Sequence, residues 1–197
     1  MISSFKELLK ECEALHGHIC AGQVLGVRMA LLGCELIGIN DPRHSERKKI
    51  IVWVEIDRCL TDAVSVVTGV RLGKRSLKYL DFGKVAATFY NTDSKIAVRI
   101  RALDESRLLA DKFYPELDAR KERQMRFYQE AKLELLFRFE QVTVILNESD
   151  KPGHASARVV CKLCGEGINN AKEVDVENGT KLCRACAFGG YYQKMLD

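Results

Sequence analysis

Apolar positions open the chain at helical spacing. Phe5, Leu8, Leu9, Cys12 and Leu15 recur every three or four residues, and Ser4 with Glu7 makes a capping box ahead of them. This predicts an amphipathic helix running into His16-Gly17-His18-Ile19-Cys20-Ala21-Gly22. Over 24–37 the apolar residues go nearly all the way round, so a second, buried helix follows, stopped by Gly38 and Asn40-Asp41-Pro42. The basic run 43–49 reads as a solvated loop. Residues 50–56 are a short apolar run suited to a buried strand, with Cys59 at its end. Leu60, Ala63, Val64 and Val67 return to helical spacing, and Gly69 suits the C-terminal cap.

Residues 85–90 and 95–101 read as two strands joined by Asn91-Thr92-Asp93-Ser94, with Ile96, Val98 and Ile100 alternating in the second. Residues 104–137 read as helix, carry both charge signs, and break or restart at Pro115. A last strand is expected at 141–146, then a linker at 147–156 with Pro152 and Gly153. The organisation predicted is an α+β domain over 1–150 and a small second domain over 157–197.

Composition narrows the function classes. Of 197 residues, 47% are hydrophobic and 29% charged, as in a globular domain, and the net charge of +4 is too mild to argue for nucleic acid or a membrane surface. No apolar run reaches the length of a membrane span, and the start lacks the basic and apolar regions of a signal peptide, so the expected location is cytoplasmic. In a reducing compartment, grouped cysteines mean metal or redox chemistry more often than disulfides.

Four of the eight cysteines form the strongest motif: Cys161-x2-Cys164, then Cys183-x2-Cys186. Each pair places two thiolates at one tight turn, and two turns complete a tetrahedral zinc site with no open position, hence a structural one. Arg184-Ala185-Cys186-Ala187-Phe188 can enter a helix, which favours a treble-clef arrangement over a ribbon. From Arg158 onward six Lys/Arg face five Asp/Glu, so this finger lacks the basic footprint of a nucleic-acid reader.

A second constellation lies in the first domain. Cys20 and Cys59 each sit at the start of a predicted helix, where backbone N–H groups and the helix dipole favour thiolate. With His18 close to Cys20, the set His18, Cys20 and Cys59 would supply three ligands and leave one position open, with Asp62 available to orient a ligand. Cys12 and Cys34 fit buried core positions, and His44 and His154 fit the surface.

Those residues carry a resemblance. His16-Gly17-His18-Ile19-Cys20-Ala21-Gly22, Arg58-Cys59-Leu60-Thr61-Asp62-Ala63, Thr68-Gly69-Val70-Arg71-Leu72-Gly73-Lys74 and Asp81-Phe82-Gly83-Lys84 together resemble the E-subunit family of formylmethanofuran dehydrogenase. The resemblance implies a thioredoxin-like core with a mixed β-sheet flanked by helices, and some members carry a C-terminal treble-clef finger. It also implies a metal-binding active site from Cys20, Cys59 and His18, with His16 nearby. The pattern departs from the family at Ala21 (usually proline), at Arg75-Ser76 (often Gly-Asn) and at Val70, where a further cysteine would be a ligand or redox partner. Gly69 and Gly73 suit a tight loop beside the site, or simple turns.

The functional expectation is a metal-binding protein: a redox or metal-dependent component linked to a molybdenum- or tungsten-type enzyme, with structural zinc in the finger and a second metal ion in the first domain. The rival reading is a non-enzymatic metal-handling or assembly accessory. Association with the other chains of a larger metalloenzyme is expected under both. Homodimerisation is in keeping with related small α+β proteins.

Overall fold

The computed structural model describes all residues except 1, 155, 156, 194, 196 and 197, so the end of the predicted linker and part of the predicted finger's tail lie outside the described residues. The chain forms two compact units, Met1–Ile145 and Leu146–Asp197.

The first unit runs α1 (Phe5–His16), α2 (Ala21–Leu36), β1 (Ile50–Val54), α3 (Cys59–Thr68), β2 (Leu77–Tyr79), β3 (Ala86–Asn91), β4 (Ala97–Ala102), α4 (Glu105–Phe113), α5 (Arg120–Glu130), α6 (Leu133–Leu136) and β5 (Phe137–Gln141). Its sheet has the order β2-β1-β3-β4-β5. The β1–β2 pair is parallel and the other pairs are antiparallel, making an α+β fold on a mixed sheet.

The capping box starts α1: the Glu7 N–H donates to Ser4 Oγ, and the Ser4 N–H donates to Glu7 Oε2 at 2.9 Å. Helix α2 is buried along most of its length, as its all-round apolar sequence requires. One core unites Leu8, Met29, Leu60, Phe89, Ile100 and Phe127. Two glycines in α2 allow close approach. A Cβ at Gly33 would stand 2.4 Å from the Phe89 ring, and one at Gly26 would stand 2.7 Å from Ala63 Cβ and 2.8 Å from the Leu60 carbonyl oxygen. Arg28 caps α5, donating to the carbonyls of Tyr128, Gln129 and Ala131 at 2.9, 3.1 and 2.7 Å.

Three expectations change. The helical stretch breaks around Pro115 as expected, between α4 and α5, but breaks again before α6 and ends at Leu136, and the last strand lies at Phe137–Gln141, earlier than 141–146. As an edge strand β5 pairs only with β4 and buries only Phe137, so Arg138 and Glu140 give it the mixed-charge look of a surface helix. Strand β2 escapes sequence reading because it is a three-residue edge strand. Ile96 lies outside β4 and is exposed, while Val98 and Ile100 are buried.

The second unit holds two hairpins, β6 (Arg158–Val160) with β7 (Gly167–Asn169) and β8 (Val174–Val176) with β9 (Thr180–Leu182), followed by α7 (Arg184–Phe188). Among its described apolar residues only Cys161 and Ile168 are buried, which is very little core. Within this unit Lys172 Nζ meets Asp150 at 2.7 Å. Among the described residues, no helix is long and apolar enough to cross a membrane.

Candidate metal centres

Three helix ends converge in the first unit. His16 is the last residue of α1, Cys20 is the N-cap of α2 and Cys59 is the first residue of α3. One ring nitrogen of His16 and the Sγ atoms of Cys20 and Cys59 all lie within 4.8 Å of one another, close enough to share an ion. His16 Nδ1 is 2.9 Å from Asp62 Oδ2, so Asp62 orients the ring and fixes its tautomer.

The sequence around these side chains holds them. Gly17 adopts φ 86°, a left-handed cap that ends α1 and turns the chain towards α2. The buried amide of Gln23 then pins the turn: its Oε1 accepts from the Cys20 N–H at 3.0 Å, and its Nε2 donates to the Cys12 carbonyl at 3.1 Å. Sequence reading missed Gln23; an amide among the apolar residues at the start of the buried helix is the signal that marks it. A Cβ at Gly22 would sit 3.4 Å from Cys59 Cβ and 3.7 Å from Cys20 Sγ, ordinary contacts that place Gly22 directly against the cluster. Burial, then the hydrogen bond with the Cys20 thiol, raises the Cys59 thiol above its ordinary range.

The structure brings His16 rather than His18 into this group. His18 is exposed, and its ring centroid lies 4.9 Å from that of His16. Val70 follows the C-cap Gly69 at the far end of α3, a helix of ten residues and hence about 15 Å long, so a cysteine at that position would lie away from this cluster. Gly69 lies at that same far end. It serves as a left-handed cap with φ 71° and forms no loop beside the cluster. Cys12 and Cys34 are fully buried, and burial pushes their thiols up to about 11 and about 12. His44 bonds Asp41 at 3.0 Å on the surface, and His154 is exposed.

The second unit gathers Cys161, Cys164, Cys183 and Cys186 within 4.8 Å of one another. A tetrahedral ion about 2.3 Å from each sulfur separates the sulfurs by about 3.8 Å; Cys164 and Cys183 Sγ are 3.9 Å apart. Backbone N–H groups point at the sulfurs, from Cys183 to Cys161 at 3.3 Å and from Cys186 to Cys183 at 3.4 Å. The N–H groups of Cys164 and Cys183 hold the Cys161 thiol down to about 6. The Cys183 side chain leads the effects that push Cys186 up to about 12, since four adjacent thiols cannot all ionise without a cation. The group can hold a metal ion.

Known proteins share both the sequence pattern and the fold. A probable S-adenosyl-L-methionine-binding protein of Archaeoglobus fulgidus is 41% identical over 99 residues, covering 50% of this chain and 27% of that relative. The chain therefore spans about a quarter of that relative's length. A solved structure of a tungsten formylmethanofuran dehydrogenase FmdE-like protein from Syntrophus aciditrophicus superposes with a TM-score of 0.64 over 97% of this chain and 96% of that one, at 23% identity, and so shares the fold. Residues 15–144, more than half of the sequence, match the family model described as FmdE, molybdenum formylmethanofuran dehydrogenase operon, and the chain belongs to the FmdE family.

Proposed function

We propose that this FmdE-family protein is a two-metal component that works beside a molybdenum- or tungsten-type formylmethanofuran dehydrogenase. Its working ion would be held by His16, Cys20 and Cys59, and a structural zinc by the four C-terminal cysteines. The observation that carries the reading is the convergence of three donors from three helix ends, with Asp62 orienting the histidine. Three protein donors leave one position of a four-coordinate ion for an outside ligand, which suits metal-dependent chemistry or electron transfer. His18, whose ring centroid lies 4.9 Å from that of His16, would serve as a proton carrier beside the site.

In this reading the first unit is the thioredoxin-like core, supported by its parallel β1–α3–β2 segment within a mixed sheet. The second unit is a treble clef, supported by the order of a cysteine turn, a hairpin and a helix that begins at Cys183. Domain limits of 1–150 and 157–197, a cytoplasmic location and a homodimer belong to the same proposal. The rival, a metal-handling or assembly accessory, draws on the partial exposure of Cys20 and Cys59, since an accessible site also suits exchange of the ion.

Anaerobic cobalt(II) titration of the full chain separates these ideas from a finger-only protein. Two equivalents with thiolate charge-transfer bands are expected, one of them abolished by Cys59→Ser. A single equivalent that Cys59→Ser leaves untouched would contradict the first site. Turnover-linked changes in the spectrum favour the enzyme component, and stable transfer of the ion to an apo-metalloenzyme favours the accessory.

A further inference from the structure

We infer that Cys20 and Cys59 form a reversible dithiol–disulfide couple whose oxidised form cannot hold the metal ion; the metal half of this inference rests on the site reading just proposed. The two sulfurs lie within 4.8 Å of each other, Cys20 at the N-cap of α2 and Cys59 at the first residue of α3, so the helix ends already hold them side by side. Both are partly exposed, whereas Cys12 and Cys34, the other cysteines of this unit, are fully buried, so a dissolved oxidant reaches only the pair. Gly22 lies against both cysteines, where even a Cβ would make only ordinary contacts at 3.4 Å to Cys59 Cβ and 3.7 Å to Cys20 Sγ, so the sulfurs have space to close to the roughly 2.05 Å of a disulfide.

The oxidant is a low-molecular-weight disulfide, RSSR. One protein thiolate attacks a sulfur of RSSR, forming a protein–S–SR bond and releasing RS⁻. The other thiolate attacks the protein sulfur of that mixed disulfide, forming the Cys20–Cys59 bond and releasing a second RS⁻. The pair loses two electrons and two protons, RSSR gains the two electrons, and the protons leave as RSH. Oxidation takes two of the three donors and leaves His16 alone, so the ion departs. A site of this kind reads the thiol redox poise of its surroundings as metal occupancy.

The test equilibrates the anaerobically purified full chain with graded mixtures of oxidised and reduced glutathione, quenches with maleimide and maps the peptides by mass spectrometry. Cobalt(II) binding is measured on unquenched aliquots of the same mixtures. The expected result is a Cys20–Cys59 cross-linked peptide at oxidising ratios, reversed by reduced glutathione. Cys12 and Cys34 should be alkylated only after denaturation, and one equivalent of cobalt should be lost on oxidation. Cys20 and Cys59 recovered only as separate glutathione adducts or free thiols at every ratio would overturn the couple. Formation of the disulfide in a chain that bound no cobalt at this site when reduced would overturn the metal reading while the couple stands.

Discussion

The imidazole of His16 and the carboxylate of Asp62 meet at 2.9 Å across 46 residues of sequence, joining the last turn of α1 to the first turn of α3. The contact holds the ring where its nitrogen shares a cluster with two sulfurs from two further helix ends. Asp62→Asn keeps the size of the side chain and weakens its hold on the ring. The expected outcome is a loss of about 10- to 100-fold in metal affinity at this site with the fold intact, measured by competition with a chromophoric chelator. An unchanged affinity would mean that the carboxylate is incidental.

Close approach of α2 and α3 at Gly26 sets the distance between the helices that carry Cys20 and Cys59. A methyl group there meets the backbone of Leu60, which cannot rotate away. Gly26→Ala is expected to cost about 1–3 kcal/mol in urea denaturation and to lower affinity at the His16/Cys20/Cys59 site as well. Gly33→Ala, which presses on the Phe89 ring, should cost similar stability with a smaller effect on the metal. Equal effects of the two on affinity would break the proposed link between helix packing and site geometry.

Glu55, just after β1, and Arg99 on β4 form a two-pronged ion pair, with both bonds at 2.7 Å and the Glu55 side chain only 7% exposed. Arg99 reaches solvent and also meets Glu140 at 3.5 Å, so the pair lies between surface and buried cases. A double-mutant cycle with Glu55→Ala and Arg99→Ala should give a coupling of about 2–3 kcal/mol, below the value for removing one partner of a fully buried pair. A coupling under about 0.5 kcal/mol would place the pair with ordinary surface bridges.

Much of this architecture is legible in the sequence, and the failures have physical causes. The capping box, the buried α2, β1 and the two cysteine pairs are local patterns, and short-range periodicity reports them well. His18 reads as the ligand because it is nearer Cys20 in sequence. The left-handed turn at Gly17 and the partner Asp62, distant in sequence, bring His16 into the cluster instead. Glu55 and Arg99 are 44 residues apart and carry no local signal. The edge strands β2 and β5 bury too little to impose an alternating pattern.

The C-terminal unit has little to hold it besides its four sulfurs. Chelation should therefore unprotect the amides of β6–β9 in hydrogen exchange while α2 and β3 stay protected. The pH dependence follows from proton release. Cys161, held at about 6, is already ionised at neutral pH, whereas Cys186, pushed up to about 12, must give up a proton to bind. Affinity should rise with pH through neutrality and fall on acidification, more steeply below about 6, where Cys161 also takes up a proton. A zinc affinity flat between pH 6 and 8 would contradict this.

In the proposed function one chain holds two metal ions of different kinds. Metal content by plasma mass spectrometry, on the anaerobically purified full chain and its Cys20→Ser/Cys59→Ser variant, tests it most directly. About two ions per chain are expected, one of them zinc, with one ion lost in the variant and the zinc retained. One ion per chain in both proteins would contradict it, leaving the four-cysteine group as the sole metal centre.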